Sequence, residues 1–167
     1  MGSTQYIARC QKRLRALGAP DIGWRCMSIY DYETDSFTCE LCGCSRVRYI
    51  HVMKHPEFSE LLKVGCICAG VMEGDILAAQ QREREAKNKS RRKSYYLKKP
   101  WNAISENRWE ITHRKLPLAI ERCSFRGHEY YNLDIDGDCF HWMDNRRMTS
   151  FLTAQHYAFN LMEEYYA

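Results

Sequence analysis

The sequence predicts an α+β fold in three consecutive parts, and three observations lead there. Two close cysteine pairs, Cys39/Cys42 and Cys66/Cys68, bracket a strand-like stretch. A run of cations occupies residues 82–99. Several short strand-like stretches follow, and an amphipathic helix comes last. The predicted parts are a cysteine-centred module with an N-terminal helix (1–81), a basic helical connector (82–101), and a C-terminal antiparallel β-sheet with a terminal helix (102–167).

The elements follow in order. Residues 4–17 set Ile7, Cys10, Leu14 and Leu17 near one helical face, and Gly18 before Ala19 and Pro20 stops that helix. Trp24, Cys26, Ile29, Tyr30 and Tyr32 predict a strand over 25–32, followed by a polar loop at Glu33–Ser36. Residues 46–53 hold Val47, Tyr49, Ile50 and Val52 and predict a second strand. It ends at His55-Pro56, because proline cannot donate to a ladder. A helical turn is expected at Glu57–Leu62, and one helix over 69–95, apolar at first and strongly polar later. Pro100 marks a boundary. Beyond it, strands are expected at Arg108–Thr112, Ala119–Cys123, Glu129–Ile135 and Cys139–Met143. Asp136-Gly137 suits a type I′ turn between the last two. Residues 149–166 predict a helix with Thr149 or Ser150 as N-cap.

Composition narrows the classes. The 167 residues are 45% hydrophobic and 13% aromatic, enough apolar material for a packed core. No apolar run approaches the ~18–20 residues that span a bilayer, so no membrane partner is expected. The N-terminal residues lack the apolar stretch of a secretory signal, which predicts a cytoplasmic protein. In that reducing setting nine cysteines point to metal binding rather than to disulfides.

The ligand pattern is Cys39-x2-Cys42, 23 intervening residues, then Cys66-x-Cys68. Zinc takes four tetrahedral ligands, and thiolates suit it. Gly43 permits the backbone of a tight knuckle, and Gly65 a sharp turn before the second pair. The expected centre is a structural Zn2+ held by Cys39, Cys42, Cys66 and Cys68. Cys44, His51 and His55 compete for a ligand place. Cys10, Cys26, Cys123 and Cys139 are widely spaced and read as core or strand cysteines. The order of knuckle, strand or hairpin, and ligand-bearing helix suggests a treble clef or zinc ribbon.

Residues 38–98, with Cys39-x2-Cys42, Tyr49-x-His51, His55-Pro56 and Cys66-x-Cys68-Ala69-Gly70, resemble a zinc-binding module of uncharacterised bacterial and phage proteins. There the cysteine pairs flank a Tyr-x-His segment and a basic helix follows. The resemblance implies a zinc site and a prokaryotic or mobile-element setting, and no activity.

Residues 82–99 contain nine Lys or Arg and two Glu, within a chain whose net charge is only +4, so the remainder is net negative. Cations in that density suit phosphates, and Tyr95, Tyr96 and Trp101 beside them suit stacking on unpaired bases. The expectation is a zinc-stabilised nucleic-acid-binding protein with contacts from Lys87, Lys89, Arg91, Arg92, Lys93, Lys98 and Lys99. An acidic protein partner fits the same run, as in an interaction or inhibitor module of a mobile element. A third reading is a metal-dependent nuclease resembling the HNH class, with His51 as base. The helix after Cys68 carries Glu73 and Asp75 but no Asn or His where that motif needs one. Asp134, Asp136 and Asp138 alternate, yet Gly137 is misplaced and Asn145 stands where a calcium loop has Glu, so a hairpin turn explains them.

Overall fold

A computed structural model describes residues 2–166, with side chains from residue 4. The fold is mixed α+β, with four helices and two antiparallel sheets among the described residues, and it ends in a helix. The chain divides into two compact units, Met1–Arg91 and Arg92–Ala167.

In the first unit α1 (Gly2–Ala16) precedes a sheet of β1 (Arg25–Asp31), β2 (Tyr49–His55) and β3 (Phe58–Val64), in the order β1-β2-β3. Helix α2 (Cys66–Glu73) follows at once, and α3 (Ile76–Leu97) carries the chain into the second unit. Leu14, Trp24, Met53, Val64 and Met72 centre the core. β2 is buried along its first five residues, so its central place follows from its composition.

Two expectations fail here. Residues 58–64 are a strand, not a helical turn: Leu62 and Val64 are buried while Leu61 and Lys63 are exposed, a period of two. The single helix over 69–95 is two helices. Gly74 takes a left-handed conformation (φ 78°) and its N–H bonds back to the carbonyls of Gly70 and Val71. Asp75 then caps α3, its carboxylate accepting from Ala78 N–H at 3.0 Å. The break lets α3 cross close to Gly70, where a Cβ would stand 2.6 Å from Ile76 Cα.

The second unit is a five-stranded antiparallel meander: β4 (Asn102–Ser105), β5 (Arg108–His113), β6 (Leu116–Phe125), β7 (His128–Ile135) and β8 (Asp138–Phe140). Helix α4 (Phe151–Tyr165) packs on β6 and β7 and is capped by Ser150, whose hydroxyl accepts from Thr153 N–H. Leu118, Ile120, Leu133, Ile135, Phe159 and Met162 fill the core beneath it, with Tyr96 from the end of α3. The β7–β8 turn has positive φ at Asp136 and Gly137, and Asp134 accepts the Gly137 N–H. β4 escapes the sequence reading because its four residues are all exposed and show no alternation. β8 stops at Phe140, short of the expected Met143.

Candidate metal centre

Residues 39–44, between β1 and β2, form a closed knuckle. Cys39 N–H bonds to the Cys44 carbonyl at 2.8 Å, and Gly43 N–H to the Cys39 carbonyl at 2.9 Å. Gly43 sits at φ 75°, a conformation that suits glycine. The turn aims two backbone donors at sulfur: Cys42 N–H at Cys39 Sγ and Cys44 N–H at Cys42 Sγ, both 3.5 Å. Paired hydrogen bonds between Phe37 and Val47 close its base. Glu40 fastens it to β3, donating to the Lys63 carbonyl and accepting the Lys63 N–H on its carboxylate.

Cys68, in the first turn of α2, meets this knuckle. The sulfurs of Cys39, Cys42 and Cys68 all lie within 4.8 Å of one another, close enough to hold one metal ion. Cys39 and Cys68 are buried and Cys42 is half-buried. A zinc–sulfur bond of about 2.3 Å puts tetrahedral sulfurs just under 4 Å apart, so small adjustments complete three of four ligand places.

Without a cation the thiols of Cys39 and Cys68 are both held in the neutral form. The hydrogen bond with Cys68 and burial together push the Cys39 thiol far above its ordinary range. Cys68 is pushed up to about 12, chiefly by its hydrogen bond with Cys10. A divalent cation reverses this preference, because it neutralises the thiolates that otherwise repel one another.

The fourth predicted ligand, Cys66, does not join them. Its sulfur groups with a ring nitrogen of His51 and the carboxylate of Glu83, again within 4.8 Å. The alternation explains the division: two residues apart at the start of a helix, Cys66 and Cys68 point about 200° apart around the axis. Burial pushes the Cys66 thiol up to about 11, with the Glu83 carboxylate adding to it. Cys44 is exposed and outside both groups, and His55 instead lies against Gly23 with its Nε2 3.1 Å from the Ile22 carbonyl.

The sequence reading missed two residues beside Cys68. Tyr6 places its hydroxyl 3.2 Å from Cys68 Sγ, and Cys10 places its sulfur 3.8 Å away. Both belong to α1, at i and i+4, on the face that also carries buried Leu14. Their spacing was visible in the sequence; nothing there linked them to a cysteine some sixty positions on.

The predicted phosphate contacts have mixed placements. Lys87 pairs with Glu83 at 3.4 Å and lies over the Tyr49 ring. Arg92 makes two hydrogen bonds to Glu163, at 3.0 and 2.6 Å, so its charge is already matched. Lys99 lies over the Tyr95 ring. Lys89, Arg91, Lys93 and Lys98 form no ion pair among the described residues. His51 is fully buried on β2.

Comparison of the chain with protein-family models, with curated proteins and with solved structures returned no match in any of the three.

Proposed function

We propose that this chain is a zinc-stabilised nucleic-acid-binding protein, its cation held by Cys39, Cys42 and Cys68 and its phosphate contacts supplied by α3. The sequence of knuckle, β2–β3 hairpin and α2, with ligands on the knuckle and the helix, supports a treble-clef reading. The zinc is structural in this reading. It ties the knuckle to the start of α2, and so stabilises the small core around Met53 and Met72.

One observation carries the nucleic-acid part. Arg84, Lys87, Arg91 and Tyr95 follow one another at three- and four-residue steps, and all four are exposed. The opposite side of the helix buries Ala79 and Tyr96 and half-buries Ala86 and Ser90. The acids of the same helix are occupied: Glu83 by Lys87 and Glu85 by Gln81. What remains outward is a row of cations with an exposed aromatic ring, suited to phosphates and an unpaired base.

The test is binding of a single-stranded oligonucleotide across a salt series. Three contacts predict log Kd rising with log salt concentration at a slope of about 2. The double variant Lys87→Gln/Arg91→Gln should weaken binding about tenfold or more and lower that slope. Binding that ignores salt, or a variant that binds as tightly as the original, would reject the reading in favour of a protein partner.

A further inference from the structure

The buried ring of His51 points to a cation site of its own. We propose that His51, Cys66 and Glu83 bind a second divalent cation of zinc type, distinct from the three-thiolate centre. His51 Nε2 is enclosed and has no hydrogen-bond partner. The Glu83 carboxylate stands 3.8 Å from it, too far for a hydrogen bond. The Cys66 sulfur completes a group whose ligand atoms all lie within 4.8 Å. Three different donors converging on one point is the arrangement a metal ion organises. Metal–ligand bonds of about 2.0–2.3 Å set neighbouring donors roughly 3–4 Å apart.

Each donor sits on a regular element. His51 comes from the central strand β2, Cys66 from the start of α2, and Glu83 from the second turn of α3. Lys87 engages the other oxygen of Glu83, at 3.4 Å, and leaves Oε1 directed toward His51. A cavity of about 380 Å³ is lined by Cys66 and Glu83 and also by Cys39, Cys42 and Cys68. Three protein ligands leave a fourth position for water or for an oxygen of a bound molecule, unlike a closed four-thiolate centre.

Arg82 sets the cost of loading. Its Nε donates to His51 Nδ1 at 3.2 Å, while its terminal nitrogens hold Glu73 at 2.8 and 3.2 Å. A neutral ring that accepts at Nδ1 carries its proton on Nε2. The cation therefore takes the Nε2 lone pair, the ring proton moves to Nδ1, and Arg82 gives up that one hydrogen bond while keeping both to Glu73.

The experiment strips the full chain with a chelator and titrates it with Co2+, reading stoichiometry by elemental analysis and thiolate coordination by charge-transfer absorption. The original chain should take up two equivalents. Glu83→Gln and His51→Ala should each take up one, with the absorption of the three-thiolate centre retained. Circular dichroism establishes that both variants are folded, and Glu83→Gln keeps the size of a partly exposed side chain should His51→Ala unfold. One equivalent in the original chain, or two in Glu83→Gln, overturns the proposal and leaves the three-thiolate reading standing. So does a Cys66→Ser variant that weakens the thiolate-rich equivalent while Glu83→Gln changes nothing, because Cys66 would then belong to the first centre.

Discussion

At the scale of single residues, Cys68 is where the most depends on one atom. Its sulfur faces Cys39 and Cys42 on one side and takes Tyr6 and Cys10 from α1 on the other. Cys68→Ser should remove the zinc equivalent of the three-thiolate centre and lower stability by on the order of several kcal/mol, whereas Cys44→Ser, at an exposed position outside the cluster, should leave both unchanged. Zinc analysis and urea unfolding of the two variants side by side check this. Tyr6→Phe is a finer test. It removes one hydrogen bond to a ligand sulfur while keeping the ring, and should weaken zinc by about tenfold at unchanged stoichiometry, measured by competition with a chromophoric chelator. The knuckle pair and Cys68 were legible because a C-x2-C turn beside glycine and a cysteine at a helix start are local patterns. The separation of Cys66 from Cys68 was not. It depends on which way α2 faces, and that is decided by burial of Ala69, Val71 and Met72 against the sheet.

At the scale of elements, the boundary between α2 and α3 is the feature with the sharpest consequence. Apolar content from Ala69 to Leu77 and a good helical composition beyond it read as one continuous helix. Gly74 and Asp75 instead supply a left-handed end and a fresh cap, and the two helices meet where Gly70 has no side chain. Gly70→Ala sets a methyl group 2.6 Å from the Cα of Ile76, a backbone atom that cannot turn aside. Overpacking of this kind costs about 1–3 kcal/mol, and helix propensity returns under about 1 kcal/mol. The urea midpoint of Gly70→Ala should therefore fall, although alanine is the better helix former. An unchanged or raised midpoint would mean that α3 shifts freely. Strands were legible where one face is buried, as in β6 and β7, and failed where it is not, as in the wholly exposed β4. The β3 error has the same physical root: Glu57–Leu62 is polar enough to suit a helical turn, and only pairing with β2 makes it a strand.

At the scale of the whole molecule, the net charge of +4 hides how the acids are used. In the second unit Glu163 holds both Arg92 and Arg114, each at 2.6 Å, with only 11% of its side chain exposed. The Arg92 hydrogen bonds, reinforced by the one from Arg114, lower its carboxyl from the ordinary 4.5 to about 2. A carboxyl lowered by folding stabilises the folded chain fully above its ordinary value, and that contribution disappears as pH falls toward about 2. Arg92 is nearly half exposed, so solvent screening reduces the contribution to on the order of 1–2 kcal/mol. Glu163→Gln should accordingly lower the unfolding free energy of the second unit by about that much at pH 7. The difference from the original chain should shrink below pH 4.5 and be mostly lost by about pH 2, because protonated Glu163 and glutamine are nearly equivalent partners for two guanidinium groups. Urea unfolding followed at several pH values decides it. A difference that persists unchanged at pH 2 would mean that Glu163 acts by its packing rather than by its charge. A variant as stable as the original at pH 7 would mean that Arg92 and Arg114 are equally well served by water, which would also release Arg92 to join the outward cations of α3.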